Sequence, residues 1–427
     1  MFDARIKLLA FVLICSTLIG LTRAQEFVAN YDESKVPDYT LPPIIDSQDS
    51  GESFQTAWKL RRKELLDTFS QHMFGYQPKS SFQLKCEKLE SGPSVGGKAL
   101  RQQYRVSLGT DAGSQVIHLL VFTPANSSGP VPCFLGLNFR GNHTVAADPE
   151  IVVTQSWSPN DAKVGATNNT ASEAGRGAAS SRWPVEMLVD AGCGVATAYC
   201  GDIDPDFHDG FNNGVHALFP DNQPSEAHPD RWGTISAWAW GLSRLLDCIQ
   251  TNVPEVDGHR VAVVGHSRLG KTSLWAGATD ERFAAVISND SGCGGAAISR
   301  RAFGETVGRI NTSFPHWFCP NFKQYNLNEQ SLPIDQHQLV ALAAPRPVYV
   351  ASASEDQWAD PRGEFLSAKL AGQLYQRLGL PPLAMNEFPA HANTGVVGTV
   401  SYHLRDGKHD INAYDWTQYI KFISQLK

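Results

Sequence analysis

Ser267 stands in the run Gly265-His266-Ser267-Arg268-Leu269-Gly270-Lys271, between an apolar stretch and a helical one. A serine hydroxyl at a sharp strand-to-helix bend can attack a carbonyl carbon, provided its close neighbours are small enough for strand and helix to approach. Gly265 and Gly270 meet that need, although Leu269 occupies the place of the second glycine in the G-x-S-x-G pattern. The same bend aims the Arg268 backbone N–H, at the positive end of the following helix, toward a developing oxyanion. Lys271 lies one turn on and on the same face, so its ammonium reaches toward the same pocket. Cationic side chains in a first helical turn oppose the helix dipole, which marks Arg268 and Lys271 as residues with a purpose. The plainer alternative is a turn in which Ser267 only caps the helix.

Acyl transfer by serine needs an imidazole to take the hydroxyl proton and a carboxylate to hold that imidazole in the right tautomer. Where a serine bend opens an α/β fold, the chain order is serine, acid, histidine. Of the 13 histidines, His391, His403 and His409 come late enough. His409, in Gly407-Lys408-His409-Asp410, falls between a β-like run over 397–404 and a helical run over 414–426. His391 is the alternative, read as following a strand end. For the acid, a buried-strand pattern over 347–352 runs into Ser354-Glu355-Asp356-Gln357-Trp358, which makes Asp356 the first choice. Asp290, in Asn289-Asp290-Ser291-Gly292, is the second. Either carboxylate could instead cap a helix or pair with a surface arginine.

These residues need a frame. Short apolar runs at 132–139, 194–199, 261–265, 284–288 and 347–352 alternate with amphipathic stretches, the pattern of a mostly parallel sheet covered by helices on both faces. Earlier, 54–74 repeats apolar residues at helical spacing, and β-like runs at 103–108 and 115–123 predict an antiparallel pair opening the sheet. The irregular stretches 140–182 and 201–231 are too long to be mere connections and are candidate walls of a substrate site.

Net charge is −7 with no long run of either sign, which excludes the basic footprint of nucleic-acid binding. Arg5 and Lys7, an apolar run over 8–21 and then Thr22-Arg23-Ala24 predict a signal peptide over 1–24, leaving 25–427 as a single secreted catalytic domain without a membrane anchor. Beyond that segment lie Cys86, Cys133, Cys193, Cys200, Cys248, Cys293 and Cys319, an odd set with no C-x-x-C spacing. Buried thiols plus one or two bridges fit it, with the pairing unreadable. The sequons at Asn126, Asn142, Asn168 and Asn311 matter only in a host that glycosylates.

In order along the chain, GHSRLGK, NDSGCGGAA, FPHWF, ALAAPRPVYV, EDQWADP and GKHD together resemble the glucuronoyl esterase family of carbohydrate esterases, over most of the chain from Asn138 onward. The resemblance implies an α/β-hydrolase fold, a three-layer α/β/α sandwich around a mostly parallel sheet. It implies Ser267 as nucleophile, His409 as base, Arg268 assisting the oxyanion and Lys271 hydrogen-bonding sugar hydroxyls. Glu305 and Trp358 would line the uronoyl pocket. The implied substrate is the ester between (4-O-methyl-)glucuronic acid of glucuronoxylan and a lignin alcohol, cleaved without metal or organic cofactor. The resemblance also implies that some members of the family carry glutamate where Asp290 stands; aspartate is a methylene shorter, which favours Asp356 as the acid. Two other readings are an acetylxylan or general carbohydrate esterase on the same fold and a catalytically silent carbohydrate-binding relative.

Overall fold

The structure, a computed structural model, describes residues 27–46 and 51–426. The expected signal peptide over 1–24 lies outside the described residues. Ten strands form one sheet: β1 (Gln83–Ser94), β2 (Ala99–Thr110), β3 (Gly113–Pro124), β4 (Val131–Asn138), β5 (Gly194–Tyr199), β6 (Val256–His266), β7 (Ala285–Asn289), β8 (Val348–Ala353), β9 (Thr394–Val396) and β10 (Val400–Arg405). Their order is β1-β2-β3-β5-β4-β6-β7-β8-β10-β9. Pairing is antiparallel from β1 to β5, parallel from β5 through β10, and antiparallel again at β9. This is the α/β-hydrolase architecture.

The parallel strands read as continuous apolar runs because both faces are covered. Along β6, Val261 and Val263 enter one core while Ala262 and Val264 enter the other. The larger core takes Trp58 and Leu65 from the helix Gly51–Phe69, Trp238 and Leu245 from Thr234–Asn252, and Trp275 from Arg268–Thr279. The smaller core takes Leu188, Trp416, Tyr419 and Phe422 from the helices Val185–Asp190 and Ala413–Ile423. Each fully buried aliphatic or aromatic side chain contributes about 1.5–3 kcal/mol, so this alternation anchors the register of β6 and hence the bend at its end.

The helix expected over 54–74 is α-helical over Gly51–Phe69 and closes in a wide turn over Ser70–Phe74. The strand expected over 397–404 is Val400–Arg405, and the last helix ends at Ile423 rather than beyond it. No strand ends before His391: it lies in a loop between the helix Pro361–Arg377 and β9, because the prolines and polar residues there offer no alternating pattern to pair. Two strands escaped the sequence reading. β1 lies half exposed at the sheet edge, with Leu84 and Cys86 its apolar contacts to the larger core, and β9 has three residues.

Between 140 and 182 and between 201 and 231 the backbone runs in short 3-10 turns, apart from one α-helical turn over Cys200–Ile203. Asp202 ties the two segments together, its carboxylate accepting from Thr154 Oγ1 at 3.1 Å and Ser156 Oγ at 2.6 Å, while Trp157 packs on Phe207 with ring centroids 4.6 Å apart. Cys86 and Cys248 form a disulfide between β1 and the helix Thr234–Asn252; Cys133, Cys193, Cys200, Cys293 and Cys319 are free and buried. Asn142 and Asn311 are buried with their amides donating to His118 O and Phe322 O, so these two sequons are closed to glycan in the folded chain. Among the described residues no helix is long and apolar enough to cross a membrane.

Candidate active site

Ser267 sits between β6 and the helix Arg268–Thr279 with φ 59° and ψ −130°, a conformation costly for any residue with a Cβ. Its amide donates to Asn289 O on β7 at 2.9 Å, and its carbonyl accepts the Gly270 and Lys271 amides that start the helix. A Cβ on Gly265 would lie 1.9 Å from Leu269 O, and one on Gly270 would meet Ser291 Cβ at 3.0 Å. Gly265 is therefore a steric requirement of the bend, while at Gly270 a side chain would press on Ser291, Asn289 and Gly265.

His409 lies in the loop after β10, where its Nδ1 is 2.6 Å from Asp356 Oδ2. Asp356 follows β8 and is buried, whereas the imidazole is partly open. Arg405, at the end of β10, donates to the carbonyls of Lys408 at 2.8 Å and Asp410 at 2.7 Å, so it grips the chain on both sides of His409. Arg182 Nε adds an ion pair to Asp410 Oδ1 at 2.7 Å. Asp290, the other acid candidate, has its Oδ2 3.3 Å from Arg405 Nη2. Burial pushes its carboxyl well above the usual range, reinforced by Glu364 and Asp356 nearby. Asp290, Asp356 and His409 present oxygen and nitrogen atoms within 4.8 Å of one another, a spacing that a cation could also use. The 2.6 Å contact is nevertheless a hydrogen bond that fixes the imidazole tautomer and leaves Nε2 free to accept a proton.

The other late histidines sit elsewhere. His403 is wholly buried, its Nε2 2.8 Å from Asp415 Oδ1 and its Nδ1 2.9 Å from the Tyr349 hydroxyl, and His391 is exposed on its loop. His266, by contrast, matters and was missed as a candidate although it precedes the serine. Its ring packs on His409 with centroids 4.5 Å apart, and its Nδ1 is 2.7 Å from Asn289 Oδ1. Burial, together with the His409 and Arg182 charges, holds His266 well below the usual imidazole range, so it stays neutral beside a base that must acquire charge.

The Arg268 guanidinium lies between the rings of Phe139 and Trp317, 5.1 and 5.2 Å from their centroids. Its Nε is 3.4 Å from Asp206 Oδ2, while Asp206 Oδ1 takes the Trp317 indole N–H at 2.7 Å and faces His316 Nε2 at 3.0 Å. Burial works against the Asp206 carboxylate, but the hydrogen bond to His316 and the Arg268 charge hold it below its ordinary value. Asp206 and Trp317 were not singled out from sequence. The FPHWF segment was the available signal for Trp317; nothing in the irregular stretch 201–231 distinguished Asp206 from its neighbours.

Lys271 is buried, its ammonium donating to Ser291 O and lying 5.9 Å from the Trp317 ring centroid. Burial lowers its pKa, and Glu305 opposes the fall. Burial in turn raises Glu305, and Lys271 restrains the rise. The Glu305 amide is anchored on Trp358 O at 3.0 Å, and the indole of Trp358 is partly exposed. Ser267, Arg268, Lys271, Asp290, Glu305, Asp356, Trp358 and His409 all line one cavity of about 370 Å³. A second cleft of about 410 Å³ adjoins it, and the two share Ser267, Arg268 and His409.

A sequence-family profile described as "Glucuronyl esterase, fungi" matches residues 226–379. The chain is 50% identical to the carbohydrate esterase MZ0003 of an unknown prokaryotic organism over 395 residues, covering 92% of this chain and 91% of that protein. A solved structure described as a promiscuous CE15 esterase from a marine bacterial metagenome aligns with a TM-score of 0.86 and 48% identity over 94% of this chain and 100% of its own. The glucuronoyl esterase from Solibacter usitatus aligns with a TM-score of 0.82 and 40% identity over 92% and 99%. With an α/β-hydrolase sheet, a strained serine bend and relatives that match along nearly their whole length, the chain belongs to the glucuronoyl esterase family of carbohydrate esterases, CE15.

Proposed function

We propose that this enzyme hydrolyses the ester between a (4-O-methyl-)glucuronic acid of glucuronoxylan and a lignin alcohol, through an acyl-enzyme on Ser267. His409 Nε2 takes the serine proton as Oγ attacks the uronate carbonyl carbon, and Asp356 stabilises the imidazolium that forms. The carbonyl oxygen becomes an oxyanion facing the positive helix start and the Arg268 group. His409 then protonates the departing alcohol, and water, activated by the same imidazole, releases the free uronate. Lys271, Glu305 and Trp358 bind the sugar: a buried cation and carboxylate suit hydroxyls, and an indole suits the apolar face of a pyranose ring. Asp356 is the catalytic acid, while Asp290 helps to hold Arg405, whose shorter ion pair is to Asp415 at 3.0 Å.

One observation carries this reading: the residues common to both cavities are Ser267, Arg268 and His409, so the reacting atoms stand at the waist between two spaces, as the two halves of an ester require. The leader over 1–24 and the Cys86–Cys248 bridge support export to an oxidising compartment, and the unbroken sheet supports a single domain over 25–427. The test is hydrolysis of benzyl glucuronate alongside acetylated xylan, by wild type and Ser267→Ala. Turnover of the uronate ester that vanishes in the variant, together with fluorophosphonate labelling of Ser267, is expected. Acetate release with no action on the uronate ester would make the enzyme an acetylxylan esterase instead.

A further inference from the structure

An ester held with its acyl half among Lys271, Glu305 and Trp358 must send its alcohol half to the other side of the Ser267 bend, into the 410 Å³ cleft. The chemistry of that cleft differs from that of the sugar pocket. Phe139 and Trp183 supply aromatic walls, and the Trp183 ring is fixed from behind by Trp416, with centroids 5.9 Å apart. Around these walls stand Arg140, Lys163, Arg182 and Arg268, against Asp161 as the carboxylate of the lining, in a chain whose net charge is −7. Arg140 pairs with Asp161 at 3.3 Å, Arg182 with Asp410 at 2.7 Å and Arg268 with Asp206 at 3.4 Å. The ammonium of Lys163 is exposed and has no hydrogen bond or ion pair among the described residues.

Resting on the function proposed above, we infer that this cleft is the alcohol site and that it favours an aromatic alcohol bearing a carboxylate, its ring between Phe139 and Trp183 and its anionic group toward Lys163. An aryl ring gains from aromatic walls and from nearby guanidinium groups. A carboxylate gains from a cation that has no internal partner to give up. A cationic cleft on an acidic protein also draws anionic substrates from solution, an attraction that salt screens.

The experiment uses three glucuronate esters with the same acyl half: methyl, benzyl and 4-carboxybenzyl. At low ionic strength kcat/KM should rise in that order for wild type, with the carboxylated ester ahead of the benzyl ester by roughly threefold, the scale of one partly exposed ion pair. That lead should shrink in high salt, and Lys163→Glu, a change at an exposed side chain, should reverse it. Equal kcat/KM for the benzyl and carboxybenzyl esters, or a ratio that Lys163→Glu leaves unmoved, overturns the inference while leaving the proposed function intact. Failure of wild type on all three esters overturns the function and this inference together.

Discussion

Asp356 reaches Nδ1 of His409 at 2.6 Å, whereas Asp290, close to both, has its oxygen 3.3 Å from Arg405. On this pairing we propose Asp356 as the carboxylate that orients the base. Asp356→Asn keeps the shape but removes the charge that stabilises the imidazolium, and kcat on benzyl glucuronate should fall by about 10³- to 10⁴-fold with KM little changed. Asp290→Asn should cost much less activity and act chiefly through the loop that Arg405 holds. Equal turnover by the Asp356 variant and wild type would refute the assignment.

Arg268 is held by two rings and by Asp206, so in the proposed mechanism it meets the oxyanion without first having to be ordered. Arg268→Ala should lower kcat by about 10²-fold, the scale of one lost oxyanion contact. Asp206→Asn, which keeps the shape and loosens the tether, should give a smaller loss in kcat. Steady-state kinetics that show a change in KM alone for both variants would remove Arg268 from the transition state.

Lys271 and Glu305 should act on binding. Lys271→Ala is expected to raise KM for the uronate ester about tenfold, the effect of losing one charged hydrogen bond. The same variant also leaves a buried carboxylate without its cation, so its Tm should fall; Lys271→Ala with unchanged KM would move the sugar out of this pocket.

Glu364 lies beneath the site, wholly buried, with Ser291 and Gly292 amides and the Ser352 hydroxyl donating to its carboxylate at 2.7, 3.0 and 2.6 Å. Burial nevertheless pushes it up to about 8. A carboxyl whose folded pKa lies above its unfolded one binds its proton more tightly when folded. Its contribution to stability is therefore complete below the ordinary carboxylate range and is lost as pH rises toward 8. Wild-type Tm should decline from pH 5 to pH 8, and Glu364→Gln, neutral throughout, should flatten that decline. Identical pH profiles of the two melting curves would contradict the assignment.

Much of the frame was readable from the chain because buried parallel strands leave continuous apolar runs, as at Val261–Gly265, and the serine bend leaves its glycines. β1 was hard to read because the alternation of Leu84 and Cys86 with polar neighbours is brief and is broken by a bulge between Lys88 and Glu90 and by Gly92 and Pro93. At the site, residues that come from motifs at strand ends were visible, and those that support them from irregular loops, Asp206 above all, were not. Such a residue is recognised by what it touches, and sequence spacing carries no trace of that contact. His391 drew attention through a strand end that does not exist, and it lines neither cavity, whereas His409 lines both.

The left-handed backbone at Ser267 has one further consequence. Glycine adopts φ 59° and ψ −130° freely, so Ser267→Gly should relieve about 1–3 kcal/mol of strain, partly offset by the greater freedom of glycine in the unfolded chain. The variant should be inert and yet melt at a higher temperature than the enzyme it came from. Durability and reactivity pull against each other at this single position, and the native chain holds the conformation that makes it less durable and able to react.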